Sequence, residues 1–163
     1  MIWAAFVSIE QEIQLATETK DVTSVLNELI ETCKDGENGF RTAAEKVKDP
    51  SLKAMFSKYA SQRAGYVQEL TSAVSSLGEK PSESGHVAAV LHRGWMGLKE
   101  ALTKDEDTAL VNEAEAGEDM AMKAYKEALS KSLPATVMTL VQKQFAGVQE
   151  AHGVVRDLKH SRQ

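Results

Sequence analysis

Apolar residues recur at steps of three and four along four stretches of the chain, which is the signature of amphipathic helices. From residue 21 to Asp49 the inner positions read Leu26, Ile30, Cys33, Glu37, Phe40, Ala44 and Val47. From Pro50 to Gly78 they read Leu52, Phe56, Tyr59, Arg63, Tyr66, Leu70, Ala73 and Leu77. A third line runs Val111, Ala114, Glu118, Ala121, Tyr125, Ala128, and a fourth runs Val137, Val141, Gln144, Val148, His152, Val155. In each line a polar or charged residue stands near the midpoint, where the periodicity calls for an apolar one.

The punctuation between these stretches predicts how they connect. Asp21 or Thr23 can cap the first helix, and Asp49-Pro50 supplies a cap and a first-turn proline for the second. Gly78 is placed to stop that helix, and GEKPSESG, residues 78–85, has loop chemistry. From His86, HVAAVLHRGWMGLKEALT predicts a shorter helix anchored by Val87, Leu91, Trp95, Leu98 and Leu102, with Val90 beside that line and Trp95 and Met96 packing it onto the bundle. Asp105 and Asp107 offer caps for the third long helix, and Ser132 with Pro134 marks a tight junction into the last. Short junctions make antiparallel neighbours, so the chain reads as two helical hairpins joined by a long crossover that contains an extra short helix.

Length and composition narrow the class. A chain of 163 residues with three prolines and abundant Ala, Leu, Glu and Lys is an all-α protein with one core, expected over residues 21–160 with residues 1–20 as an N-terminal extension. Nineteen basic residues against twenty-four acidic ones, without a Lys/Arg block, argue against a nucleic-acid surface. MIWAAFVSIEQ is too short an apolar run for a membrane span and lacks a basic leader, so no membrane association is expected. The single cysteine, Cys33, fits a core thiol in a reducing, cytoplasmic compartment.

The midpoints share one level. Glu37 lies thirteen residues before Pro50 and Arg63 thirteen after it, so at helical rise they stand side by side. Glu118 and His152 are similarly disposed about Pro134, within about 3 Å. The expected central polar layer is therefore Glu37, Arg63, Tyr66, Glu118, Gln149 and His152. Gly36, Gly65, Gly117 and Gly147 fall close to it, where close backbone approach would offset their helix-interior cost of about 1 kcal/mol. His86 and His92 do not share a helix face, and Glu113, Glu115 and Asp119, like Glu28, Glu31 and Lys34, read as solvated faces. No arrangement for nucleophilic catalysis or phosphate binding is present at motif spacing.

LNELIETCKDGENGF, LHRGWMGLKEAL and GEDMAMKAYKEAL, with the two-hairpin layout, resemble an uncharacterised, mostly proteobacterial branch of the ferritin-like four-helix bundles, a family known as a domain of unknown function. The likeness spans Val22 to Leu158. Di-iron members of the superfamily place a Glu on two helices and a Glu-x-x-His on the other two. By that resemblance Glu37 and Glu118 match the single glutamates, Arg63 with Tyr66 stands at one Glu-x-x-His, and Gln149 with His152 stands at the other. A guanidinium at a bridging-ligand position, between Glu37 and Glu118 and with His152 protonated, implies a neutral layer closed by charge pairing instead of metal. The expectation is a bundle without a cofactor and without catalysis, in a structural, interaction or stress-linked role; an exposed bundle face leaves a homodimer open, and no partner is specified. Nothing after Leu158 resembles the extra helix of a ferritin cage. The alternative is an iron-binding oxidase or iron-handling protein using Glu37, Glu118 and His152.

Overall fold

The computed structural model describes residues 2–83 and 94–162, residues 2–7 as backbone alone. Among the described residues five helices follow in order: α1 (Ile2–Lys46), α2 (Pro50–Ser76), α3 (Leu98–Thr103), α4 (Asp107–Leu129) and α5 (Ala135–Ser161). The long helices pair as α1 with α2 and α4 with α5, and the hairpins meet along α1 and α4. This is a four-helix bundle with a short fifth helix in the crossover. Among the described residues no helix is long and apolar enough to cross a membrane.

The first helix starts earlier than its apolar line. Neither Asp21 nor Thr23 caps it; the Thr23 hydroxyl donates back to the Thr19 carbonyl at 2.8 Å, a mid-helix bond that leaves the ladder intact. Residues 2–20 extend α1 as a helical arm, and from Ser8 onward the first buried side chain is Val22. Without a breaker between Ser8 and Lys20, helix propagation continues through this stretch once the packed part below it is formed.

The tip of the first hairpin is held by acids from two helices. Asp49 caps α2, accepting from Ser51 N at 2.8 Å and Ser51 Oγ at 2.6 Å, with Pro50 behind it. Asp107, expected to cap α4, instead accepts from the backbone amides of Lys48 at 2.8 Å and Asp49 at 2.9 Å. It thereby satisfies donors the turn would leave open and fastens the two hairpins together. Arg162, near the chain's far end, closes the same corner on Asp49 at 3.0 Å.

The crossover is anchored at both ends. Ser82 donates its amide to Asn27 Oδ1 at 2.8 Å and its hydroxyl to Glu31, and its carbonyl accepts from Lys34 Nζ at 3.2 Å. Glu31 and Lys34 thus hold a strap and do not form a simple solvated face. The helix expected from His86, with Val87, Val90, Leu91 and both His86 and His92, lies outside the described residues up to 93. Past it the expected helix is interrupted by a turn over residues 94–97 before α3, where Trp95 is fully buried and Met96 is 72% exposed, so of the two only the indole packs onto the bundle, joined by Leu98 and Ala101 of α3. A tight turn with φ 95° at Gly94 precedes it and leaves Met96 facing outward.

Trp95 fits because two helices thin out beneath it. A Cβ built on either Gly39 of α1 or Gly117 of α4 would stand well inside contact distance of the indole ring. The ring meets Phe40 edge-on at 5.1 Å. Of the glycines expected near the central level, Gly36, Gly117 and Gly147 each face a bulky side chain, whereas Gly65 faces nothing within 4 Å.

That contrast is testable by urea unfolding. Gly117→Ala should destabilise the protein by about 1–3 kcal/mol through overpacking. Gly65→Ala should stabilise it by roughly 0.5–1 kcal/mol through backbone entropy.

Candidate functional site at the bundle centre

Among the described residues two apolar clusters fill the bundle, one around Phe40, Phe56, Tyr59, Trp95 and Val155, the other around Leu26, Ile30, Leu70, Tyr125 and Val141. Polar side chains occupy the level between them. Arg63, 1% exposed, donates through Nη1 and Nη2 to the two oxygens of Glu118, each at 2.7 Å, and Glu118 is fully buried. Such a fork-to-fork pair is the strongest neutralisation available to two desolvated charges. Arg63 Nε donates to Gln62 Oε1 at 3.3 Å, and the guanidinium lies 5.5 Å from the Phe40 ring centroid, a cation–π contact. Burial by itself would draw protons off Arg63; the adjoining Glu118 carboxylate outweighs it, so the net direction is upward and the cation is fixed.

Room for the guanidinium comes from Gly36, whose position would put a Cβ 3.2 Å from Arg63 Nη1. This settles where Glu37 goes. A helical line through Cys33 and Phe40 can pass through 36 or 37, since both lie three or four residues from each end. Gly36 takes the inner slot under Arg63. Glu37 turns outward, keeps 21% of its side chain exposed and accepts from Arg41 one turn along α1.

The same choice recurs on α5. Ala151 takes the inner slot between Val148 and Val155, and His152 turns toward α4, pairing with Asp119 at 2.6 Å. Gln149 is exposed. The buried amide on this helix is Gln144, one of the apolar-line positions, which the Glu-x-x-His register passes over. Glu115 pairs with Lys159 at 2.5 Å, and Glu113 accepts from Gly97 N at 2.9 Å, so the acidic face of α4 is a set of fastenings.

Above the ion pair runs a second polar chain. Tyr125 donates its hydroxyl to Gln144 Oε1 at 2.8 Å, which leaves the Cys33 thiol as donor to the Tyr125 oxygen at 3.1 Å. Gln144 Nε2 reaches the Tyr66 carbonyl and Glu69 Oε1, each at 3.4 Å. Tyr66 itself is half-buried, its hydroxyl seated against Gly147 where any Cβ would collide. Burial pushes the Cys33 thiol up to about 11, with the Arg63 charge opposing, and burial likewise raises Tyr125.

With this geometry the architecture is that of a ferritin-like bundle. The chain belongs to the family described as Domain of unknown function (DUF2383), whose model matches residues 21–131. Among solved structures it is similar to a mutant of Mycobacterium smegmatis Dps1, at 14% identity and TM-score 0.70, over 88% of this chain and 97% of that one. It is also similar to a dodecameric thioferritin, the bacterioferritin-related protein of Bacteroides fragilis, at 12% identity and TM-score 0.67 over 91% of each chain. A two-domain protein of Anabaena variabilis, with DJ-1/ThiJ/PfpI-like and ferritin-like domains, matches at 14% identity and TM-score 0.72 over 88% of this chain and 37% of that one. No curated protein matches the sequence.

The ferritin-like superfamily includes di-iron sites, which need carboxylates and imidazoles converging on one centre. The donors here do not fit that requirement. Both Glu118 oxygens are taken by a cation, Glu37 is turned to Arg41, and His152 is drawn off to Asp119. Among the described residues no three His, Cys, Asp or Glu side chains gather as a metal set.

Removing the cation should expose how much rests on it. Arg63→Ala is expected to cost roughly 3–5 kcal/mol in urea unfolding, because Glu118 would be left buried and unpaired. Cys33, with roughly one thiolate in a thousand at about pH 8, should resist a disulfide exchange reagent in the folded protein and react fully once unfolded.

Proposed function

We propose that this protein is a cytoplasmic, non-catalytic ferritin-like bundle whose centre is closed by an ion pair in place of a metal, and that it serves a structural or interaction role, stress-linked as the family resemblance implies. The observation that carries this reading is the bidentate Arg63–Glu118 pair. It puts a fixed positive charge at the level where di-iron bundles hold their cations. A divalent ion there would face a guanidinium that cannot release its charge at any physiological pH.

Supporting the reading, the remaining polar groups around the pair satisfy one another. Tyr125, Gln144 and Cys33 form a closed sequence of donors and acceptors, with no buried side-chain nitrogen or oxygen left without a partner among the described residues. The chemistry available is therefore that of a rigid, neutralised core. Iron handling through Glu37, Glu118 and His152 would require three side chains to abandon their present partners together.

Iron loading separates the two. After incubation with ferrous iron in air and desalting, the protein should retain far less than one iron per chain by elemental analysis, with no new near-ultraviolet band. Stoichiometric retained iron with such a band would overturn the proposal.

A further inference from the structure

The arm and the far end of the first hairpin carry opposite charge. Residues 2–21 hold four acidic side chains, Glu10, Glu12, Glu18 and Asp21, against Lys20 alone. Residues 41–58 hold five basic ones, Arg41, Lys46, Lys48, Lys53 and Lys58, against Glu45 and Asp49; with Arg41 paired to Glu37, Lys48 to Asp105 and Asp49 to Arg162, Lys46, Lys53 and Lys58 remain against Glu45. The two regions sit at opposite ends of one elongated hairpin.

Each region also has an apolar surface lacking a partner among the described residues. On the arm, Ile9 is 56% and Ile13 62% exposed; one helical turn apart, they share a face, with Glu10 and Glu12 beside them. At the hairpin's far end, α1 and α2 leave a surface groove of about 320 Å³. It is lined by the small side chains Ala44, Ser57, Ala60 and Ala64 together with Lys53, Glu45 and Arg41, the last held by Glu37. Small residues permit the close approach that a branched side chain from another helix needs.

We propose that the α1 arm of one copy docks in the α1–α2 groove of a second copy, Ile9 and Ile13 against its small side chains and Glu10 and Glu12 toward Lys53. A chain cannot fill its own groove this way. Ile13 and Arg41 lie on the same straight helix, about 42 Å apart at helical rise. Pairing two arms symmetrically would bring the acidic stretches together, which like-charge repulsion disfavours. The contact joins unlike surfaces: a two-fold axis closes it reciprocally, each arm in the other copy's groove, and any other placement leaves a free arm and a free groove for further copies, in a ring or an open chain. It does not depend on whether the centre binds metal.

Disulfide trapping in the full chain tests the geometry. Ile13→Cys and Ser61→Cys alter two exposed sites, one on the arm and one lining the groove, while native Cys33 stays buried. Mixed and mildly oxidised, the two variants should give a cross-linked dimer, and each alone should give far less. Half-molar salt, or Lys53→Glu added to the Ser61→Cys copy, should lower the yield about fivefold or more. Efficient self-cross-linking of Ile13→Cys would mean arm-to-arm pairing and overturn the proposal. So would self-cross-linking of Ser61→Cys, or an uncross-linked mixture that remains monomeric by light scattering at the highest attainable concentration.

Discussion

A guanidinium removed from water has to be neutralised at close range, and much of this bundle's interior is arranged around that need. Arg63 lies between two apolar clusters, and Glu118 meets it from the opposite hairpin with both oxygens. The pair therefore joins α2 to α4, two helices that are not sequence neighbours. An apolar core could pack the hairpins in several sliding registers; a buried pair with two 2.7 Å bonds allows one. Specificity of register is the use of buried charge that model systems support best.

Neighbouring features follow from the same demand. Gly36 leaves space for the guanidinium, and Phe40 offers it a ring face. Trp95, wedged between Gly39 and Gly117, covers the layer from the α1–α4 side and packs on Phe40. The crossover is thereby coupled to the centre: its indole keeps water from the aromatic that shields the charge. On the side away from Trp95, the Cys33–Tyr125–Gln144 sequence turns the remaining polar atoms toward one another and toward the protein's edge at Glu69.

The four amphipathic stretches, the junctions at Pro50 and Pro134 and the level of Arg63 and Glu118 were legible in the chain because they follow from periodicity, proline positions and helical rise. Which of two adjacent residues takes an inner slot was not. Positions 36 and 37, like 151 and 152, satisfy the same spacing, and the choice depends on the bulk arriving from the facing helix. Gly36 yields to Arg63, which sends Glu37 out to Arg41; Ala151 takes the inner slot, which sends His152 to Asp119. Gln144 stood openly on its apolar line, yet matching to a Glu-x-x-His register drew attention to Gln149, which is exposed. The reach of Asp107 to another helix's turn, and of Glu31 and Lys34 to the crossover, are tertiary contacts without a local signal. The arm, residues 1–20, read only as an extension because residues 8–18 bury nothing that would impose a readable pattern.

The central claim is that Arg63 and Glu118 stabilise the bundle as a unit, each tolerable only with the other. A double-mutant cycle with Arg63→Met, Glu118→Leu and the combined variant, followed by urea unfolding, isolates that dependence. The account predicts a coupling of about 2 kcal/mol or more, with the combined variant far more stable than the two losses added together. A coupling within about 0.5 kcal/mol of zero would contradict it, since the two side chains would then be acting independently.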